Sequence, residues 1–242
     1  MAEIETISTF NDVNSIANTY RSGKWVFRGV PDSTYELVPK AGRQNWNENL
    51  EKHMFHAFCR EITAYIEKPP TSEWEFLAIA QHHGLPTRLL DWSENLLVAI
   101  FFACNNKTDS DGAVYVLNTK SVVDPEKSPF EMTRIAKYRP NHVTQRITAQ
   151  RGLFTVHPKP NKPMLLGDSP HKAYQTRKVI IPAKAKERIL WDLSRFNINA
   201  RSLFPDLDGL ANFLGWAYTN LDPALDESNI FENGESLKLK SA

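Results

Sequence analysis

The sequence predicts an α+β protein with a single domain, in which helices flank short strands in mixed or antiparallel sheets. The chain has 242 residues, 41% hydrophobic and 24% charged, which is a globular composition and enough to bury a sizeable core. Segments of strand character interleave irregularly with helical segments, without the regular βαβ alternation of a doubly wound sheet. We therefore expect one domain over 1–242, with its core at about 20–215 and a polar tail at 224–242.

Periodicity and turn residues place the elements in order. Apolar side chains recur at helical spacing in several segments, and Ser8 or Thr9 could cap the first of them. Pairs such as Pro69-Pro70 and Gly84-Pro86 end the helices before them. The predicted helices are 4–20, 47–67, 72–83, 95–105, 185–196 and a last one within 202–218, and the predicted strands are 25–29, 111–118, 146–157 and 177–182.

Charge and apolar runs restrict the class of protein. The formal net charge is +1, so no strong global field marks a nucleic-acid binder, although a local basic patch would be compatible with it. The longest apolar run, LLVAIFFAC, is too short to span a bilayer. The first ten residues lack the basic and apolar regions of a signal peptide. Cys59 and Cys104 lie in apolar surroundings typical of reduced thiols. We expect a soluble, cytoplasmic protein with no membrane partner.

Several common motifs do not occur. The chain has no GxxxxGK[ST] loop, no GxGxxG after a strand, no GxSxG and no CxxC. His53, His56 and Cys59 have the i, i+3, i+6 spacing of one helix flank, where neighbouring side chains could hold a metal. Without an HExxH pattern or a second ligand pair, partly exposed histidines are the better interpretation. We expect no metal site.

The stretch AIAQHHGLPTRLLDWS, residues 78–93, places many polar groups after an apolar run. His82 and His83 end a helix, where one of them can interact with the helix dipole and the other can face a site. Asp91 or Ser93 can be the N-cap of the next helix. The same helix N-terminus can also bind an anion, with Thr87 and Arg88 nearby.

Two further segments carry candidate polar residues. Arg28 ends an apolar strand and precedes Gly29. At such a position both the guanidinium and the backbone can approach a phosphate or ribose of a ligand. The alternative is that Arg28 forms a structural ion pair. In RITAQRG, strand alternation puts Arg146, Thr148 and Gln150 on one face. That face is either exposed to solvent or part of a polar cleft.

Three separated blocks of the chain resemble the FRG domain, which is named for its Phe-Arg-Gly motif. They are WVFRG (25–29), QHHGLPTRLLDWSENLLVAIFFA (81–103) and RITAQRGLFT (146–155), and SLFPDLDGLANFL (202–214) is similar to the family's C-terminal end. The resemblance covers about 20–215, and the middle block is long and specific. FRG domains occur largely in bacterial and phage proteins.

The order of these blocks also resembles the layout of ADP-ribosyltransferases. Arg28-Gly29 matches their first motif, the stretch from Thr87 to Ser93 matches the second, and Gln150 falls at the third. The resemblance implies an ADP-ribosyltransferase-like fold and NAD as cofactor. This chain has Asp-Trp-Ser where those enzymes often have Ser-Thr-Ser, and Gln150 where they usually have Glu. A neutral Gln stabilises a developing cation less than a carboxylate does, so Asp91 is the first candidate to supply the charge.

The resemblance then implies a role for each candidate residue. Arg28 would anchor NAD, and Ser93 and Gln150 would orient its ribose. Trp92 or Tyr35 would stack on nicotinamide. The implied catalytic residues are Arg28, Asp91, Ser93 and Gln150, and the implied cofactor-binding residues are Arg28, Gly29, Tyr35, His83, Thr87, Arg88 and Trp92.

Three functions are therefore compared. The first is an NAD-dependent ADP-ribosyltransferase toxin or effector of bacterial toxin–antitoxin or anti-phage systems. It would modify a protein or nucleic-acid acceptor, with an antitoxin protein as a further partner. The second is a nuclease or other nucleic-acid-processing enzyme that uses Arg28, His82, His83 and Asp91 for acid–base chemistry. The third is a non-catalytic module that binds a nucleotide or a partner protein, which Gln150 favours.

Overall fold

The fold combines one mixed sheet with helices on its faces, as a computed structural model shows for residues 5–43, 45–141, 145–169 and 173–220. The α+β class is confirmed. Eight strands form a single sheet rather than several, with the order β1-β8-β4-β2-β3-β6-β5 and β7 beside β8. β1 pairs with β8 in parallel, and the other named strand pairs are antiparallel. The tail at 224–242 lies outside the described residues.

The strands are β1 Glu5–Thr6, β2 Trp25–Val30, β3 Leu89–Ser93, β4 Gly112–Thr119, β5 Ala136–Tyr138, β6 Gly152–Val156, β7 Gly167–Asp168 and β8 Tyr174–Ile181. The helices are α1 Phe10–Thr19, α2 Glu48–Glu61, α3 Glu73–His82, α4 Leu96–Cys104, α5 Gln145–Ala149, α6 Ala183–Arg195, α7 Ala200–Leu203 and α8 Leu207–Thr219.

Side-chain caps set where several helices begin. Thr9 caps α1 in a capping box with Asp12, as the sequence allowed. Residues 5 and 6 before it form a strand rather than the first turn of the predicted helix. The cap of α4 is Asn95, whose side chain accepts a hydrogen bond from the backbone of Leu97. Asp91 and Ser93 belong to β3 instead, so their prediction as the N-cap was wrong.

The segment RITAQRG differs most from its prediction. Residues 145–149 form the short helix α5, and Arg151 turns the chain with a φ of 46° before β6 begins at Gly152. Arg146, Thr148 and Gln150 therefore do not share a strand face. Five residues of alternating apolar and polar character fit the period of a strand or that of a helix. The left-handed backbone of Arg151 ends the helix, a role that glycine often has.

Two groups of helices cover the same face of the sheet. α1, α4 and α6 pack on β2, β4 and β8, whereas α2 and α3 pack on β3, β5 and β6. On the opposite face, Leu37 and Met164 from connecting loops cover Val26, Leu90 and Trp92. α4 is buried on most sides, as its sequence predicted. None of the described helices is both long and apolar enough to cross a membrane.

Candidate active site

A cleft opens in the middle of the sheet because β2 and β3 separate there. Whereas β2 pairs with β4 along six residues and β3 pairs with β6 along five, β2 and β3 share only the pair Phe27–Ser93. The strands diverge beyond that pair, between the C-terminal end of α3 and the side of α4. The resulting cavity has a volume of about 330 Å³, which is in the size range of small-molecule sites.

Arg28 and Asp91 meet at the floor of this cleft. The Nη1 of Arg28 donates to the backbone carbonyl of Asp91 at 2.8 Å and lies 3.4 Å from its carboxylate. The side chain of Arg28 is 16% exposed, and that of Asp91 is 55% exposed. Burial lowers the pKa of the Arg28 guanidinium, and the charge of Asp91 opposes that shift. A guanidinium nevertheless stays protonated, so a fixed cation and an accessible carboxylate lie side by side.

Gln81 completes this cluster and was missed by the sequence reasoning. Its Nε2 donates to both carboxylate oxygens of Asp91, at 3.1 and 3.0 Å. The Thr87 hydroxyl donates to the Gln81 Oε1 at 2.6 Å, which fixes the orientation of the amide. The available signal was its position in the last turn of α3, next to the two histidines that drew attention instead.

Aromatic side chains form the walls of the cleft. Phe27, His82, Phe102 and Phe154 all line it. Burial lowers the pKa of His82 from 6.5, and the neighbouring His83 and Arg146 lower it further. The lowered pKa favours the uncharged form of the His82 ring.

Ser93 and Gln150 lie together on one side of the cleft. The Ser93 hydroxyl donates to the backbone carbonyl of Gln150 at 2.7 Å and accepts from the backbone of Asn95 at 2.9 Å. The Nε2 of Gln150 donates to the carbonyl of Leu203 at 3.1 Å. Four of the predicted residues, Arg28, Asp91, Ser93 and Gln150, thus come together although α5 replaces the predicted strand.

Arg88 and Thr87 lie away from the open cleft, and their burial contradicts the expectation that they bind the cofactor. Arg88 is 1% exposed and forms two hydrogen bonds with the buried Glu51, at 3.0 and 2.8 Å. Its guanidinium carbon also lies 4.4 Å from the centre of the Phe130 ring. Because the guanidinium is enclosed by its partners, no ligand can reach it. Thr87 is also 1% exposed, so it supports Gln81 from behind the cleft.

The proposed stacking residues do not present their rings to the cleft. Trp92 borders the cleft but is 3% exposed, and its ring belongs to the core on the opposite face of the sheet. Tyr35 lies outside the cleft lining, with the Lys107 ammonium 4.5 Å from its ring centre. The rings that line the cleft are those of the aromatic walls described above.

Gly29 and His83 have structural explanations. A Cβ on Gly29 would overlap the carbonyl oxygen of Ala99 and the backbone nitrogen of Ala103. Gly29 therefore allows α4 to pack directly on β2, and this contact rather than a ligand requires glycine. His83 is the exposed C-cap of α3 and packs against His82. Within the described residues, no group of three His, Cys, Asp or Glu could hold a metal ion.

A comparison with protein families supports the resemblance over part of the chain. Residues 23–112 match the FRG domain. The matched range contains β2, α2, α3, β3 and α4, and with them Arg28, Gln81 and Asp91. The segments at 146–155 and 202–214 lie outside it. No curated protein and no solved structure matches the chain.

Proposed function

We propose that the protein is an NAD-dependent ADP-ribosyltransferase with an ADP-ribosyltransferase-like arrangement of its sheet, acting as a toxin or effector in bacterial toxin–antitoxin or anti-phage systems. The observation that carries this proposal is the meeting of Arg28 and Asp91 where β2 and β3 diverge. A cation for phosphate or ribose and a carboxylate for a developing positive charge are the two electrostatic elements that the reaction requires.

The reaction breaks the bond between the ribose C1′ and the nicotinamide nitrogen. The bonding electron pair leaves with neutral nicotinamide, and the ribosyl group becomes cationic. A nucleophile of the acceptor then bonds to C1′ and loses a proton. Asp91, whose carboxylate is exposed in the cleft, would stabilise the cationic ribosyl group through its charge. It would supply the carboxylate that Gln150 lacks.

The other cleft residues would position NAD. The Nη1 of Arg28 is bound to Asp91, while its remaining N–H groups suit a phosphate or ribose oxygen. The half-buried rings of His82 and Phe102 offer surfaces for nicotinamide. Gln81 would hold the Asp91 carboxylate in place through its two hydrogen bonds.

The proposal is tested with Asp91→Asn, which removes the charge and keeps the shape. Purified protein is incubated with NAD labelled in its ADP-ribose part, with and without cell lysate, and released nicotinamide and transferred label are measured. We expect turnover by the unchanged protein and a loss of about 100-fold in the variant, as for the removal of one electrostatic group from an active site. Protease and nuclease treatment then shows whether the acceptor is a protein or a nucleic acid.

Asp168→Asn is the matched control. Asp168 also forms an exposed ion pair with an arginine, Arg177 at 3.2 Å, but lies outside the cleft. It should retain full activity. Folded protein that turns over no NAD, or an Asp91→Asn variant as active as the control, would reject the transferase. Cleavage of nucleic acid without NAD would indicate the nuclease instead, and NAD binding without turnover would indicate a binding module.

A further inference from the structure

A second and larger cavity lies beside the cleft. It has a volume of about 620 Å³ and is enclosed by the loop after α4, by α6 and by α7 and α8. Arg146 lines both cavities, and its guanidinium carbon lies 4.2 Å from the centre of the Phe204 ring. The two cavities are thus neighbours that share one side chain as their boundary.

Other contacts tie the second cavity to the candidate active site. The Gln150 side chain in the cleft donates to the carbonyl of Leu203 in α7. Asp206, at the start of α8, lies close enough to His82 for its charge to raise the pKa of that histidine. A molecule held in the second cavity would therefore have groups within reach of the cleft.

The charge of this second cavity is mainly negative. Glu187, Asp206 and Asp208 line it, and Arg146 is the single basic residue among the lining residues that the structure describes. All three acidic residues are exposed. Asp206 also caps α8 through the backbone of Gly209 at 2.8 Å, which leaves Glu187 and Asp208 as carboxylates without a capping role.

Aromatic and amide groups complete the lining. Phe213 and Trp216 provide rings, and Trp216 packs against Trp191 with ring centres 4.5 Å apart. Asn105 and Asn212 provide amides. Carboxylates beside aromatic faces are the surroundings that a guanidinium prefers, because it forms paired hydrogen bonds and stacks on rings.

The loop that forms one wall is held in an unusual conformation. Asn106 and Lys107 have φ angles of 71° and 47°, which are uncommon for residues other than glycine. Lys186 fixes this loop from beneath: it is fully buried, and its Nζ donates to the carbonyls of Lys107 at 2.8 Å and Pro31 at 2.7 Å. This wall of the cavity is therefore fixed before any ligand binds, which reduces the entropy cost of binding.

We propose that this second cavity is the acceptor site and binds an arginine side chain of a protein acceptor. The term acceptor rests on the proposed function, whereas binding of the arginine side chain rests on the cavity itself. Phosphates of a nucleic acid would be repelled by the three carboxylates. The cavity thus favours a basic protein segment over the nucleic-acid acceptor that the sequence left open.

The test uses the double variant Glu187→Gln, Asp208→Asn in the full chain. The probe is a capped peptide of alternating glycine and arginine, and its binding is measured by titration calorimetry. We expect the peptide to bind the unchanged protein and to bind about tenfold more weakly to the variant, with a loss of affinity in added salt. Nicotinamide release without acceptor should not change, because neither residue lines the cleft.

The matched control is Asp124→Asn, Glu126→Gln, which removes the same charge from an exposed loop outside both cavities. It should bind the peptide as the unchanged protein does. Equal peptide binding by both double variants would overturn the proposal. The proposal would also be overturned if an oligonucleotide bound the protein more tightly than the peptide and bound the cavity variant more weakly. Peptide binding that depends on Glu187 and Asp208 in a protein that releases no nicotinamide would reject the transferase but retain the arginine site.

Discussion

At the scale of single residues, Arg28 and Arg88 show that the surroundings of a side chain determine what it can bind. Each guanidinium contacts a carboxylate. Arg28 contacts one that is 55% exposed, and their pair borders an open cleft. Arg88 contacts one that is 4% exposed and is enclosed by its partners. The first can bind a ligand, whereas the second holds α2 against β3.

Glu51→Gln is expected to unfold the protein at a much lower urea concentration. The change leaves the buried Arg88 without its charged partner, and removing one partner of a buried ion pair costs about 3–5 kcal/mol. Equilibrium unfolding in urea measures this loss. Glu94→Gln breaks an exposed pair with Arg139 and should change the free energy of unfolding by less than about 1 kcal/mol. Equal effects of the two changes would contradict the structural role of Arg88.

His157 is a further buried residue, and its pKa makes the stability of the protein depend on pH. It is 1% exposed, and burial lowers its pKa from 6.5 to about 3. Trp92 donates to the Thr155 hydroxyl at 2.9 Å, and that hydroxyl lies 3.0 Å from the His157 Nε2. Burial therefore keeps the imidazole neutral in the folded protein.

Acid should therefore destabilise the protein through His157. Below pH 6.5 the unfolded chain binds a proton at this residue while the folded protein does not, so stability is lost as the pH falls from about 6.5 toward 3. Between pH 7 and pH 5 this linkage accounts for about 2 kcal/mol. Thermal or urea unfolding of His157→Gln should show a pH dependence smaller by that amount. His53→Gln, an exposed site, should keep the original dependence; an unchanged profile in His157→Gln would disprove the assignment.

At the scale of elements, the cleft depends on how α3, α4 and α5 meet the sheet. The sequence predicted α3, α4 and β2 well because each is a mostly apolar run bounded by end signals such as Gly84 and Pro86. It mistook 146–149, the beginning of the predicted strand 146–157, for strand, because so short a segment carries too little periodicity. It also missed Gln81, whose importance arises only when α3 ends beside β3.

Gly29→Ala tests the contact between α4 and β2. The added Cβ would overlap backbone atoms of Ala99 and Ala103, and backbone cannot yield as a flexible side chain can. We expect a loss of about 3 kcal/mol or more in the free energy of unfolding. Gly23→Ala is the control, since nothing lies within 4 Å of its added Cβ. A fully stable Gly29→Ala protein would contradict this packing.

At the scale of the whole molecule, the residues that match the FRG domain are only part of those that form the sheet and its core. Within 23–112, β3 lacks its partner β6, and β4 is reduced to its first residue. The core around α4 also includes Val179, Ile189 and Leu193 from β8 and α6. The matched residues thus form the centre of a larger domain.

A fragment of residues 23–112 is therefore expected not to fold alone. It would expose apolar faces of α4 and β3 that the complete chain buries. Circular dichroism during heating should show no cooperative transition, and amide proton signals should be poorly dispersed. The complete chain is the reference for both measurements. A cooperative transition with dispersed signals from the fragment would show that these residues are an independent domain.

The sequence by itself determined the α+β class, most of the helices, and Arg28, Asp91, Ser93 and Gln150 as candidate residues. Local periodicity and motif spacing depend on residues close together in the chain, so they can be read in order. Only the tertiary structure decided that β2 and β3 diverge, that Arg88 is sealed in a pair with Glu51, and that Gln81 holds Asp91. Each of these three features depends on burial and on contacts between residues far apart in the sequence. Burial determines whether a charged group binds a ligand or a neighbouring side chain.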